Sequence, residues 1–216
     1  MAQHDAQGKG LLLATMEPPS SLEEEFQQWY DSEHFPERRD TEGFLTATRL
    51  ICLDGWPRYL ALYDLSSVDV LRGPGYAKIA GENYSRWTGR VVSRVWGQYR
   101  AEGIQVHPGN ALLGDAGTFS RLALWRFRDA PQSARAAIVD GFRRIYDDRP
   151  ETAQVRVFEA RFAQSTDYIG VAELHVPLTP ASSAVAAFGS AVRHLDMVNL
   201  YTRYERRWPG DFPKGT

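Results

Sequence analysis

The order of strand-type and helix-type segments is what most constrains the fold of this chain. In the first half, strand patterns occur at residues 10–16, 44–53, 58–65 and 91–100, and helix patterns begin near residues 20 and 68. Apolar runs and alternation indicate the strands, and a period of about 3.6 residues indicates the helices. Strand, helix, strand, strand, helix, strand is the order of the split β-α-β unit. Its antiparallel sheet carries helices on one face only, so the other face must be buried against something else.

A second set of segments follows in the same order. Its strand patterns lie at residues 118–127, 154–162, 167–176 and 197–206, and its helix patterns at 132–148 and 182–194. The residues between the two sets are rich in glycine, which is typical of a linker. We therefore predict an α+β chain of two ferredoxin-like β-α-β-β-α-β units, packed sheet to sheet as an intrachain pseudo-dimeric α/β barrel around a cavity. The units are residues 1–105 and 118–216, with residues 106–117 as the linker.

The composition excludes several functional classes. With 216 residues, 43% of them hydrophobic, the chain can bury one large core or two small ones. The formal charge of −2 gives no basic field, so we predict no nucleic-acid partner. The sequence has no dinucleotide fingerprint, no phosphate-binding loop and no nucleophile elbow, and its histidines share no metal-ligand spacing. We therefore predict no metal and no cofactor.

Cysteine usage and the N-terminal residues predict the compartment. Cys52 is the only cysteine, so an intrachain disulfide cannot form, which fits a reducing cytosol. The apolar run at residues 11–14 is too short for a signal peptide or a membrane span. We therefore predict a soluble cytoplasmic protein without a membrane partner.

The first helix pattern carries the most informative residues for chemistry. Ser20 or Ser21 can cap its N-terminus. At about 100° per residue, one stripe contains Leu22, Phe26, Trp29, Tyr30 and Glu33, with His34 at its edge. Glu33 and His34 either finish a helix that Pro36 bends or ends, or they act in proton transfer beside an aromatic face.

The string from Trp29 to Leu50, WYDSEHFPERRDTEGFLTATRL, resembles the helix-to-strand signature of the EthD-like branch of the dimeric α/β-barrel superfamily. The match covers about the first half of the chain and includes a Trp-Tyr-Asp-x-Glu-His-x-Pro-Glu pattern. The resemblance implies a ferredoxin-like unit. It also implies an activity related to isomerases, dehydratases, cyclases and decarboxylases that act on lactones, polyketide-like or aromatic compounds. Other barrel relatives are cofactor-free monooxygenases, and some bind haem through a histidine.

The resemblance places one pocket in the first half of the chain. At the matching point the second half reads IYDDRPETAQVRVF and has no counterpart of His34. The predicted catalytic residues are His34, Glu33 and Tyr30. The predicted substrate-contacting residues are Tyr63, Arg49, Trp87, Trp96, Tyr99 and Cys52. Such aromatic residues are also typical of an ordinary core, and a lone cysteine in an apolar strand is typically a small buried hydrophobe.

One further residue of the first half needs a partner. Asp64 lies in an otherwise apolar strand, where a carboxylate should be paired or solvated. Arg49 on the neighbouring strand is the candidate partner, in a structural pair.

Three functions are compatible with these residues. The first is a cofactor-independent lyase or isomerase in which His34 acts as a general acid or base, because an imidazole titrates near neutral pH. The second is a cofactor-free monooxygenase of phenolic substrates. The third is a non-catalytic ligand-binding barrel, because a fold does not fix a function. In each case the partner is a small molecule, and a second copy of the chain is a candidate partner in a homodimer.

Overall fold

The protein folds into a closed eight-stranded antiparallel barrel with helices on its outside. Its computed structural model describes residues 8–176 and 182–206. The strands are β1 Gly10–Glu17, β2 Phe44–Asp54, β3 Tyr59–Leu65, β4 Trp96–His107, β5 Arg121–Phe127, β6 Thr152–Arg161, β7 Thr166–Leu174 and β8 Leu195–Arg203. The α-helices in these two ranges are α1 Glu23–Trp29, α2 Phe35–Arg39, α3 Pro74–Ala77, α4 Arg86–Val92 and α5 Arg135–Tyr146. None of the described helices is long and apolar enough to cross a membrane.

Each half of the chain contributes four neighbouring strands to the barrel. Around the barrel the strands follow the order β1-β3-β2-β8-β5-β7-β6-β4. The first four strands therefore lie in the order β4-β1-β3-β2, and the last four lie in the corresponding order β8-β5-β7-β6. Two antiparallel seams join the halves, one between β2 and β8 and one between β4 and β6. The α+β class and the barrel predicted from the sequence are confirmed.

Apolar side chains fill the inside of the barrel. Leu13, Leu62, Leu124 and Phe158 come from four different strands, are fully buried and belong to one cluster. The cavity expected inside the barrel is replaced by this packed core, because inward-facing side chains of the two halves meet each other. Two further apolar clusters lie on the outer faces of the two halves, beneath the helices.

A buried ionic cluster joins the two halves inside the barrel. Arg156 on β6 donates to the Asp64 carboxylate on β3 at 2.6 Å and lies 3.2 Å from the Glu173 carboxylate on β7. The three side chains are at most 1% exposed. Asp64 also accepts from the Leu113 backbone N–H at 2.6 Å. The predicted Asp64–Arg49 pair is wrong, because Arg49 lies opposite the outward-facing Ala61 in the β2–β3 register whereas Asp64 faces the inside.

The helical path after β1 continues further than the sequence predicts. α1 runs into a π-helical turn, Tyr30–His34, and then directly into α2. The Phe35 N–H donates to the Tyr30 carbonyl five residues earlier, which is the π-helical spacing. Pro36 lies in the first turn of α2, where a missing N–H is tolerated. It therefore does not end the helix.

Several predicted boundaries differ from those in the structure. Ser20–Leu22 forms a 3-10 turn without a side-chain cap. Residues 91–100 do not form one strand, because α4 extends to Val92 and β4 begins only at Trp96. The Ser85 hydroxyl starts α4 by accepting from the Thr88 N–H at 2.9 Å. β4 then continues to His107, so the first two residues of the predicted linker are strand.

Aromatic side chains fill the outer face of the second half. The ring centroids of Phe142 and Phe188 lie 5.1 Å apart, and that of Trp125 lies 5.3 Å from Phe188. The Trp125 indole N–H donates to the Tyr146 hydroxyl at 3.0 Å. This face is therefore a packed aromatic core.

A methyl group added at Gly170 is expected to disturb that core. Its Cβ would lie 1.8 Å from Cζ of Phe142, so β7 or α5 would have to shift. We expect Gly170→Ala to lower the free energy of unfolding by about 1–3 kcal/mol. Gly89→Ala is the matched control, since a Cβ there meets no atom within 4 Å and should be neutral or stabilise α4 by up to about 1 kcal/mol. Urea unfolding measures both, and equal stabilities would contradict this packing.

Candidate functional site

A cavity lies outside the barrel, between the sheet of the first half and the helical segments that cover it. β1, β3 and β4 form one side, and the π turn and α2 to α4 form the other. Its empty volume is about 550 Å³, including the opening to solvent. Besides apolar residues, the lining contains two arginines, a histidine, five tyrosines and two further polar residues: Arg38, Arg100, His34, Tyr30, Tyr63, Tyr76, Tyr84, Tyr99, Thr15 and Gln98. This largely aromatic lining suits a small, mostly apolar organic molecule.

His34 is part of the cavity wall and is only 6% exposed. Its ring centroid lies 4.0 Å from that of Trp29 and 5.1 Å from that of Tyr30. Burial lowers the pKa of His34 well below its usual value, and the charges of Arg38 and Arg49 lower it further. The imidazole is therefore neutral at neutral pH and can accept a proton.

The depressed pKa of His34 predicts a pH dependence of stability. As the pH falls below about 6.5, the unfolded chain binds a proton at this histidine and the folded chain does not. The free energy of unfolding should therefore decrease as the pH is lowered, by up to about 1.4 kcal/mol per pH unit, until the pH reaches the pKa of His34 in the folded protein. His34→Gln should remove this contribution, and His175→Gln, at an exposed position, should retain it. Urea titrations between pH 5 and 8 measure the slopes, and identical slopes for wild type and His34→Gln would contradict the prediction.

The Glu33 carboxylate faces α4. It accepts hydrogen bonds from the Ser85 hydroxyl and, at 2.9 Å, from the Thr88 hydroxyl. The Thr88 oxygen in turn accepts from the Trp29 indole N–H at 2.9 Å. Glu33 therefore fixes the π turn to α4 and orients the indole beside His34. The described hydrogen bonds do not include one between Glu33 and the His34 ring.

Tyr30 and Tyr63 line the same cavity as His34. Burial raises the pKa of both phenols, that of Tyr63 strongly. Both are therefore protonated at neutral pH and can donate hydrogen bonds. The Tyr63 hydroxyl is buried and has no hydrogen-bond partner among the described residues.

Arg49 lies behind the cavity wall. Its guanidinium binds the Asp31 carboxylate and the Gln27 side-chain oxygen. It lies between the rings of Tyr30 and Tyr204, at 4.3 and 4.5 Å from their centroids. Arg49 borders a separate, more open groove. Its positive charge contributes to the lowered pKa of His34.

The other predicted substrate contacts lie in different environments. Trp87 packs on the outer apolar cluster, and Trp96 is 64% exposed. Burial raises the pKa of the Cys52 thiol to about 11, and the side chain packs against the barrel core. Tyr99 borders the cavity, but its ring packs on the barrel core and its hydroxyl donates to Asp167 at 2.6 Å. The structure therefore brings His34, Tyr30 and Tyr63 together and leaves Trp87, Trp96 and Cys52 out of the cavity wall.

Arg38 lines the cavity but was not among the predicted site residues. It is 3% exposed and donates to the His34 carbonyl at 3.0 Å. The available signal was its position four residues after His34, which places both on one helical face. The expectation that Pro36 ends the helix concealed this spacing.

The whole fold resembles several solved structures, although no protein-family model and no curated protein matches the chain. An anthrone oxidase-like protein matches with a TM-score of 0.64 and 14% identity, covering 94% of each chain. A chlorite dismutase variant of Candidatus Nitrospira defluvii matches at 0.55 and 12%, covering 95% of this chain and 96% of the other. A proposed monooxygenase of Lactobacillus acidophilus matches at 0.51 and 9%, covering 92% and 94%. At such identities the similarity shows the fold alone, a closed barrel of antiparallel strands with helices on its outside.

The cavity residues do not fit a haem group. A metal-bound histidine almost always donates its other ring N–H to a carboxylate, a carbonyl or water. The Nδ1 atom of His34 is buried and has no such partner among the described residues. Within residues 8–176 and 182–206 there is no group of three or more acidic, histidine or cysteine side chains arranged to hold a metal ion.

Proposed function

We propose that this protein is a cofactor-independent enzyme that acts on a small aromatic, lactone or polyketide-like compound, with His34 as the general base. The reaction is of the lyase or isomerase type. The observation that carries the proposal is a buried neutral imidazole in the wall of an aromatic cavity. The signature from Trp29 to Leu50 supports placing the chain in the EthD-like branch.

The chemistry begins with transfer of one proton. The neutral His34 ring takes it from a carbon next to a carbonyl group, which leaves an enolate and an imidazolium. Return of the proton at another carbon gives an isomer. Alternatively, a hydroxyl group on the neighbouring carbon takes the proton from the imidazolium and leaves as water, which gives a dehydrated product and regenerates the neutral ring. Tyr30 and Trp29 hold the ring in place, and Glu33 supports Trp29 through Thr88.

A cofactor-free monooxygenase is the second candidate. The observation that favours it is the fold similarity to an anthrone oxidase-like protein and a proposed monooxygenase. Its first step is the same, because a phenol or an aromatic ketone must lose a proton before its anion reacts with molecular oxygen. The role of His34 is therefore common to both candidates.

The domain organisation also belongs to this proposal. The two units, residues 1–105 and 118–216 with linker 106–117, would derive from a duplication. The equal strand orders of the two halves support this origin. The aromatic core on the outer face of the second half supports a single site, in the first half. We place the protein in the cytoplasm, because its only cysteine is unpaired, and a second copy of the chain remains the candidate macromolecular partner.

Mass-spectrometric detection of products tests the proposed function. The substrate panel contains unsaturated lactones, phenols and β-keto aromatic compounds, incubated in air and under argon. Turnover under argon supports the lyase or isomerase, and turnover in air alone supports the monooxygenase. A compound that raises the melting temperature without being converted indicates a binding protein. A Soret band in the purified protein, or a saturable shift and sharpening of the Soret band on hemin titration, would contradict the cofactor-independent proposal.

A further inference from the structure

The polar side of the cavity contains a guanidinium with few partners. Arg38 is 3% exposed, so its charge is almost completely removed from water. It donates to the His34 carbonyl. Among the described residues its nearest carboxylate is that of Glu37, at 3.6 Å, and the Glu37 side chain is one-third exposed. A guanidinium has five N–H donors, and burying its charge is costly unless acceptors surround it. Arg38 therefore has capacity to bind an anion.

A second unpartnered donor borders the same cavity. The Tyr63 side chain is 1% exposed, and its hydroxyl has no hydrogen-bond partner among the described residues. Its raised pKa keeps the proton on the oxygen. A buried hydroxyl without a partner carries a free-energy cost that a ligand acceptor would remove.

The carboxylates near the cavity are engaged elsewhere. Glu33 binds the hydroxyls of Ser85 and Thr88, and Asp31 binds Arg49. The described lining of the cavity contains no acidic side chain. Arg49 is thus paired with Asp31, and Arg100 of the lining is paired with Glu102. The charge of Arg38 is therefore the one that acts most directly within the cavity, and it lowers the pKa of His34.

We propose that Arg38 and Tyr63 form an oxyanion site that binds the phenolate or enolate oxygen of the substrate. The cavity would then take an ionised phenol or enol in preference to the neutral parent compound. This inference rests on the proposed function, since it explains how a weakly basic imidazole can deprotonate a substrate. Arg38 and Tyr63 stabilise the anion that forms, so the proton transfer to His34 becomes less unfavourable.

Binding of a nitrophenol tests this site without turnover, because the ionised form absorbs at a longer wavelength than the neutral one. Wild-type protein should lower the pKa of the bound nitrophenol by about 1 unit or more, as a nearby opposite charge does. Arg38→Gln should abolish the shift and weaken binding of the phenolate about 10-fold or more. Tyr63→Phe, which keeps the ring, should reduce the shift.

Arg39→Gln is the matched control. Arg39 is the next residue on the same helix, is exposed and bonds to Asp40. This variant should bind the phenolate as the wild type does. Circular dichroism establishes that each variant is folded, and Tyr63→Phe provides the decisive comparison if Arg38→Gln does not fold.

Three results would overturn the oxyanion site. In the first, the wild type does not bind nitrophenol. In the second, it binds nitrophenol without changing the pKa of the bound compound. In the third, Arg38→Gln and Arg39→Gln lose the pKa shift equally. The outcome is separate from that of the proposed function. If the protein binds phenolate selectively but converts no compound, the oxyanion site is supported and the enzymatic function is not. If it converts a compound but shows no preference for phenolate, the enzymatic function is supported and the oxyanion site is not.

Discussion

Replacing His34 by glutamine is expected to reduce kcat/KM by about 10²–10⁴-fold for whichever compound the protein converts. General base catalysis by a positioned side chain typically contributes this much. Glutamine approximates the volume of the imidazole and can still form hydrogen bonds, but it cannot accept a proton at neutral pH. The loss should appear under argon and in air alike, because both candidate reactions begin with the same proton transfer.

His175→Gln is the control for this substitution. His175 is exposed and directly follows β7, a strand of the second half that does not border the cavity. The His175→Gln variant should therefore retain full activity. Urea unfolding near pH 7 should show that His34→Gln is folded, since the imidazole it replaces is neutral there. A folded His34→Gln protein with wild-type kcat/KM would remove His34 from the mechanism.

Replacing Arg156 by methionine should lower the free energy of unfolding by about 3–5 kcal/mol. Arg156 is the cation between Asp64 and Glu173 in the barrel interior, and each of these side chains is at most 1% exposed. Removing the cation leaves two buried carboxylates close to each other without compensation. Burial already raises the pKa of Glu173, so loss of the arginine should promote its protonation further.

The matched control for this substitution is Arg161→Met on the same strand. Arg161 bonds to Glu159 at 2.6 Å, but its side chain is 70% exposed. The Arg161 guanidinium is mostly in water. The Glu159 carboxylate is buried, but it keeps its contacts with Arg135 and the Tyr168 hydroxyl, so the loss should be at most about 1 kcal/mol. Urea unfolding measures both variants. Equal losses at the two positions would contradict the assignment of Arg156 as the buried link between the halves.

The sequence predicts most of the fold because its strands alternate clearly. In β3, Tyr59, Ala61 and Tyr63 belong to the outer cluster and Leu60 and Leu62 to the barrel core, as the alternation indicates. The strand order and the closed barrel follow from two sheets that each have one uncovered face. Local alternation also places Asp64 inside, but its partner Arg156 is 92 residues away, beyond the range of any local pattern.

The site is harder to predict because it depends on the path of one helix. Proline normally disfavours a helix interior, yet the π turn before Pro36 carries the chain into α2. That continuation brings Arg38 beside His34. The orientation of Glu33 depends on Ser85 and Thr88, more than fifty residues later in the chain. Tertiary contacts of this kind leave no signal in the helix pattern itself.

The central claim is that a neutral His34 in the outer cavity contacts the substrate. NMR of protein labelled with ¹⁵N-histidine, recorded against pH with and without a phenolic ligand, tests it most directly. We expect the His34 ring of the free protein to remain neutral well below pH 6.5, and its signals to shift when the ligand is added while those of His175 do not. A His34 ring that titrates near pH 6.5 and does not respond to any ligand would contradict the account.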